Sequence, residues 1–84
     1  MIDVKCIVIR KGYDSGEGYR VYSCRPVEAE KTGNLELNKY GDFTISINQA
    51  TFSIGNTIHV CVEKDGLSKY PGSYKFVSYY NQLG

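Results

Sequence analysis

The sequence lacks the features that mark a membrane or exported protein. No apolar run approaches the roughly eighteen residues that a membrane-spanning helix needs. Residues 1–5, Met-Ile-Asp-Val-Lys, do not show the basic and then apolar order of a signal peptide. We therefore expect a soluble cytoplasmic protein with no membrane partner.

Cysteine is sparse, and its spacing matches no common motif. Cys6, Cys24 and Cys61 are odd in number and include no C-x-x-C pair, so we expect neither a disulfide framework nor a zinc site. Buried reduced thiols are the expected state. One exception follows from symmetry. If the first hairpin folds about Ser15, Cys6 and Cys24 stand opposite each other and a cross-strand bridge becomes geometrically feasible.

Charge and length restrict the function further. Ten Lys and Arg against nine Asp and Glu give a net charge of +1, so any attraction to nucleic acid must be local. The 84 residues allow one domain, residues 1–84, with a thin core. A chain of this length seldom provides both a scaffold and a catalytic pocket, which favours a binding module over an enzyme. We expect no cofactor and no metal.

Five segments have the composition of β-strands, and none is convincingly helical. Apolar residues at positions 43, 45 and 47 alternate with polar ones, as do those at 58, 60 and 62. Glycines within 11–18 predict the first turn, and Arg25-Pro26 predicts the end of the second strand. Residues 27–40 are expected to form a long loop. The predicted strands are 4–10, 19–24, 42–48, 57–63 and 73–80.

These five short strands fit a small closed or partly closed barrel. We predict an all-β, five-stranded OB-type barrel, with an SH3-like barrel as the structural alternative. The helix that usually joins the third and fourth strands of an OB barrel has only residues 49–56 to occupy. That segment is too short for a full helix.

Three segments resemble the small N-terminal OB domain of RecD-like DNA helicases of the YrrC type. Gly-Glu-Gly-Tyr-Arg-Val-Tyr at 16–22 is similar to that family's entry into the second strand, and residues 54–58 to its entry into the fourth. Residues 69–77 are similar to its Lys-Tyr-Gly-x-Gln-Phe-x-Val segment, with Pro71 inserted. The resemblance implies a non-catalytic module that contacts single-stranded DNA or neighbouring helicase domains. No Gly-x-x-x-x-Gly-Lys-Ser/Thr loop occurs, so these residues alone cannot act as an ATP-driven motor.

His59 and Cys61 are the main candidates for chemistry. They share the outward face of the fourth predicted strand, but no third residue is spaced to orient them as a base and a nucleophile. Two ligands are also too few for a closed zinc site. We therefore predict no catalytic residue and no enzymatic activity, with His59 a surface histidine.

Aromatic and basic residues near the second and fifth strands indicate a nucleic-acid surface. Flat rings stack on bases, nearby cations neutralise phosphates, and an OB barrel binds single strands on the face of its second and third strands. Lys75 is expected to share a face with Val77 and Tyr79. The predicted nucleic-acid-binding residues are Arg20, Tyr22, Thr44, Ser46, Lys69, Tyr70 and Lys75.

Two other interpretations stay open for the same residues. Eight tyrosines in a small barrel can serve as packing partners, and Tyr74, which alternates with Phe76, is expected in the core. Aromatic enrichment with near-neutral charge also fits a small protein-interaction module, such as a phage or mobile-element inhibitor. The expected partners are a weakly bound single-stranded nucleic acid, other domains of a helicase, or another protein.

Overall fold

The computed structural model describes residues 1–14, 18–27 and 34–80, with the backbone alone at residues 13 and 14. This part of the chain contains no helix, and hence no helical segment that could cross a membrane. Its five strands are β1 (Ile2–Asp14), β2 (Arg20–Pro26), β3 (Phe43–Ile47), β4 (Thr57–Lys64) and β5 (Ser73–Tyr79).

The strands close into a barrel in the order β1-β2-β3-β5-β4. The long strand β1 pairs with β4 through its first half and with β2 through its second half, which closes the sheet on itself. All neighbours are antiparallel except β3 and β5, which run parallel with Ile45 opposite Tyr74. This arrangement confirms the predicted OB-type barrel over the SH3-like alternative.

Alternation along the strands builds the core as predicted for β3 and β4. Phe43, Ile45 and Ile47 are completely buried, and so are Val60 and Val62. Apolar residues at every second position place one face of each strand inside the barrel, because successive side chains point to opposite faces.

The first hairpin differs from its prediction in length and register. β1 continues to Asp14 and β2 to Pro26, because their pairing persists through two β-bulges in β1. Gly12 therefore lies within a strand, where an added Cβ would be 3.1 Å from the Val21 carbonyl oxygen. The predicted centre of the turn, Ser15, lies outside the described residues.

This register separates the two core cysteines. Cys24 is opposite Val8 and Cys6 is opposite Pro26, so the symmetric hairpin that would place Cys6 directly opposite Cys24 does not form. Both side chains are completely buried and carry free thiols. A hydrogen bond with Cys6 and burial raise the pKa of the Cys24 thiol far above its ordinary value.

A loop side chain closes the barrel end that carries Ile47. Phe52 comes from the segment between β3 and β4, is 8% exposed, and packs with its ring centroid 5.1 Å from that of Tyr22 and 6.0 Å from that of Phe76. Tyr79 completes the group at 6.4 Å from Phe52. We call these four rings the aromatic plug. Phe52 lies in the segment between β3 and β4, which is too short for a full helix and contains none.

Candidate nucleic-acid interface

A wide cleft of about 1090 Å³ lies across the outer face of β3 and of its two neighbours, β5 and the start of β2. Two loops border it, the 34–42 loop that precedes β3 and the 65–72 loop that precedes β5. Because β3 and β5 are parallel neighbours, the loops that precede them emerge side by side. The lining residues are Tyr19, Val21, Asn38, Lys39, Tyr40, Thr44, Ser46, Asp65, Leu67, Ser68, Lys69, Tyr70, Pro71, Ser73, Tyr74 and Lys75.

Five of the seven residues predicted to bind nucleic acid line this cleft. Thr44 and Ser46 lie on the outer face of β3, opposite the buried residues of the same strand. Lys69 and Tyr70 come from the 65–72 loop, and Lys75 from β5. The structure thus brings together side chains from three elements at one surface.

The other two predicted residues, Arg20 and Tyr22, do not line the cleft. Tyr22 is 2% exposed and belongs to the aromatic plug, and Arg20, two positions away, is also absent from the cleft lining. Tyr19 and Val21 face the cleft instead. Tyr22 and Cys24 are both buried and so mark the inward face of β2, which the composition of the strand alone does not reveal.

A bulge also changes the expected face of β5. Cys61 pairs with Ser78 and the next residue, Val62, pairs with Phe76, so Val77 is the extra residue between them. Beyond Val77 the alternation reverses, and Tyr79 is opposite the buried Val60. The expectation that Lys75, Val77 and Tyr79 share a face is therefore wrong, because a bulged residue shifts the phase of the strand by one.

The sequence prediction missed Tyr19, Lys39 and Tyr40. The last two lie on the 34–42 loop, with the Lys39 Nζ atom 5.2 Å from the centroid of the Tyr40 ring. Tyr40 is 68% exposed. A signal was present in the sequence, because Lys39-Tyr40-Gly41 repeats the Lys-Tyr dipeptide that begins at Lys69.

Hydrogen bonds fix the shape of the 34–42 loop. The Asn38 side-chain oxygen accepts the backbone N–H groups of Tyr40 and Asp42 at 2.9 and 3.1 Å, and the Asn38 carbonyl accepts that of Gly41 at 3.0 Å. The Glu36 N–H donates to the Tyr74 hydroxyl at 2.7 Å. These bonds hold the Lys39-Tyr40 turn at the cleft without using its side chains.

An ion pair anchors this loop to β2. The Arg25 Nε donates to Asp42 Oδ1 at 2.9 Å, and the Asp42 carboxylate is almost completely buried. A charge-assisted bond of this kind is stronger than a neutral one, and the buried carboxylate depends on it. The loop is therefore tied to the barrel at the residue before β3.

The 65–72 loop has its own network. The Ser68 Oγ accepts the Tyr70 N–H at 3.2 Å and donates to the Ser73 Oγ at 3.0 Å. The Asp65 Oδ1 accepts the Leu67 N–H at 3.0 Å. Tyr70 and Leu67 remain 80% and 89% exposed.

Gly72 joins the two loops. Its φ of +79° is left-handed, and an added Cβ would be 3.0 Å from the Asn38 nitrogen and 3.3 Å from the Asp42 oxygen. Its carbonyl accepts the Thr44 N–H at 2.7 Å. Only glycine allows this combination of backbone conformation and close approach.

The charge on the cleft is locally positive. Among the lining residues that the structure describes, Lys39, Lys69 and Lys75 outnumber the one carboxylate, that of Asp65, whose Oδ1 accepts a backbone N–H. Although the total charge of the chain is near neutral, this surface combines ammonium groups with exposed rings. Such a surface can hold phosphates and stack on bases.

His59 and Cys61 lie elsewhere on the barrel and do not contact each other through a hydrogen bond. The His59 ring stacks on Tyr80 with centroids 4.0 Å apart, and the Cys61 Sγ donates to Asp3 Oδ1 at 2.7 Å. This bond raises the pKa of the Cys61 thiol and so disfavours the reactive thiolate. Among the described residues no three His, Cys, Asp or Glu side chains are grouped to hold a metal ion.

Comparisons with protein-family models, curated proteins and solved structures gave no significant match for this chain. The resemblance to RecD-like helicases stays a prediction based on the three segments quoted above. The case for a function therefore depends on the cleft.

Proposed function

We propose that this chain is a non-catalytic OB-type module that binds single-stranded nucleic acid in the cleft. The observation that carries the proposal is the convergence of three lysines and two strongly exposed tyrosines, Tyr40 and Tyr70, around one cleft. The cleft includes the outer surface of β3 and the start of β2, and OB barrels bind oligonucleotides on the face of these two strands.

Each group has a defined part in the proposed complex. A base that stacks on an exposed tyrosine contributes roughly 1 to 3 kcal/mol, and ammonium groups neutralise the phosphates between bases. The hydroxyls of Thr44 and Ser46 can donate to the sugar or phosphate oxygens. Because both loops are already held by hydrogen bonds, binding costs little ordering of the backbone.

The resemblance to RecD-like helicases extends the proposal to a biological setting, an accessory domain of such an enzyme or a free-standing relative. Its third segment, residues 69–77, covers Lys69, Tyr70 and Lys75, which line the cleft. In that setting the module would contact the single strand on which the helicase moves, or a neighbouring domain.

Fluorescence anisotropy with labelled single-stranded DNA, single-stranded RNA and duplex DNA tests the proposal. We expect tighter binding of single strands, with a salt slope of about −2 if three lysines each neutralise one phosphate. That slope corresponds to a loss of roughly 20-fold in affinity between 50 and 200 mM salt. Absence of binding by every strand at low salt would refute the proposal.

A protein partner is the second candidate, and Leu67 is the observation that favours it. This apolar side chain is 89% exposed beside Tyr70 on the 65–72 loop. Exposed apolar side chains with aromatic neighbours are common in protein interfaces. If oligonucleotides do not bind and Leu67→Asp abolishes a complex seen by cross-linking or size-exclusion chromatography, this candidate replaces the first.

A further inference from the structure

The two loops that border the cleft present the same local structure twice. The 34–42 loop contains Asn-Lys-Tyr-Gly at 38–41, and the 65–72 loop contains Ser-Lys-Tyr-Pro-Gly at 68–72. In each, the side-chain oxygen of the residue before the lysine accepts the tyrosine backbone N–H, at 2.9 Å from Asn38 and 3.2 Å from Ser68. Each turn ends in a glycine with a left-handed φ, +81° at Gly41 and +79° at Gly72.

Both turns leave their functional side chains available. Tyr40 is 68% and Tyr70 is 80% exposed, and both line the cleft together with the lysine that precedes them. An exposed tyrosine ring offers a flat apolar face on which another planar group can stack. A ring beside an ammonium group matches one nucleotide, which offers a flat base and a negative phosphate.

The two turns are also in direct contact with each other. The backbone of Gly72 packs against Asn38 and Asp42, so the end of the second turn contacts the first. Their separation is therefore fixed by the fold, and a ligand meets two prearranged points.

We infer that the cleft is a two-point clamp in which each Lys-Tyr turn holds one nucleotide, with the base on the tyrosine ring and the phosphate at the lysine. The inference rests on the proposed function and specifies its ligand. The partner is a flexible single strand with at least two unpaired bases, bound without preference for base sequence, because every base has a face that can stack.

Removal of the tyrosine rings from the protein and removal of the bases from the ligand should each eliminate the contribution of stacking to binding. Anisotropy is measured at low salt with a labelled oligothymidine decamer and with a decamer of abasic sugars that keeps all phosphates. Tyr40→Ala and Tyr70→Ala should each weaken oligothymidine binding by roughly 5- to 150-fold, the equivalent of one stacked base. The double variant should bind both decamers equally and weakly. Tyr40→Phe and Tyr70→Phe should bind like the wild type.

Tyr80→Ala is the matched control, because Tyr80 is 39% exposed but stacks on His59 outside the cleft. It should bind like the wild type, and circular dichroism should show that every variant is folded.

If the double variant still prefers oligothymidine over the abasic decamer, the clamp is wrong while the proposed function stands. If wild-type protein binds neither decamer, both are wrong. Sequence-independent binding would be contradicted if the affinities for oligoadenosine and oligocytidine differed by more than the difference in stacking strength between the two bases.

Discussion

In the aromatic plug the rings of Tyr22, Phe52, Phe76 and Tyr79 pack against one another, with centroids 5.1 to 6.4 Å apart. At the cleft, the rings of Tyr40 and Tyr70 remain in solvent beside lysines. The same residue class thus has two uses in one small barrel. The plug rings contact one another, with Tyr22 and Phe52 almost completely buried and Tyr79 53% exposed, whereas the cleft rings lie at the surface next to ammonium groups and can meet a ligand.

The largest expected effect is on stability, when a substitution removes one ring of the aromatic plug. Phe52→Ala removes the side chain that contacts the other three rings, and we expect a loss of about 3 to 5 kcal/mol in the free energy of unfolding. Urea denaturation measures it, with Tyr70→Ala as the exposed aromatic control that should change stability little. A loss below about 1 kcal/mol would show that the plug does not stabilise the barrel.

A substitution at Gly72 should disturb the cleft. Gly72→Ala combines a left-handed φ with a Cβ 3.0 Å from the Asn38 nitrogen, so we expect destabilisation of roughly 2 to 4 kcal/mol and weaker oligonucleotide binding.

Gly55→Ala is the control for Gly72→Ala. Gly55 has a φ of +91° but no atom within 4 Å of an added Cβ, so only the backbone strain of about 1 kcal/mol applies. Thermal denaturation and anisotropy compare the two. Equal effects would show that contact between the loops is unimportant.

A smaller effect is expected from loss of one cleft charge. Lys69→Ala should weaken single-strand binding about 2- to 5-fold at low salt and reduce the magnitude of the salt slope by about 0.7. Lys5→Ala removes the same charge from an exposed position on β1 opposite His59, outside the cleft. Anisotropy over a salt series should show no change in slope for this control. The same loss in both variants would mean that the attraction depends on total charge and has no local origin.

The smallest expected effect is on thiol reactivity, which differs between the partly exposed Cys61 and the two buried cysteines. The hydrogen bond from Cys61 to Asp3 raises the pKa of the thiol, so the thiolate forms only at higher pH. Asp3→Ala should lower that pKa and speed iodoacetamide alkylation of Cys61 at pH 8, as followed by mass spectrometry. The buried Cys6 and Cys24 should react only after unfolding. An unchanged alkylation rate in Asp3→Ala would contradict the role of the carboxylate.

The strands of the barrel were predictable because their signals are local. Apolar alternation identifies β3 and β4 without any knowledge of their partners, and five such segments of suitable length favour a barrel. The phase of β2 and the bulge at Val77 were not predictable, since both depend on which neighbour each strand pairs with. Phe52 lies in a loop with no periodicity, so nothing in the sequence marks it as a core residue.

Part of the candidate site was predictable for the same reason. Thr44 and Ser46 follow from the alternation of β3, and Lys69 and Tyr70 from the composition of their turn. The repeated Lys-Tyr dipeptide marks Lys39 and Tyr40 in the sequence, but not their place at the cleft. They are 30 residues before their counterparts, and the parallel pairing of β3 with β5 is what brings the two loops together.

Titration of ¹⁵N-labelled protein with an oligothymidine decamer, followed by ¹H–¹⁵N NMR spectra, tests the central claim most directly. We predict that the amide signals of the two Lys-Tyr turns and of Thr44 and Ser46 shift progressively, while those around Phe52 remain in place. Shifts confined to the region of the aromatic plug, or no shifts at millimolar oligonucleotide, would contradict the assignment of the cleft as a site for single-stranded nucleic acid.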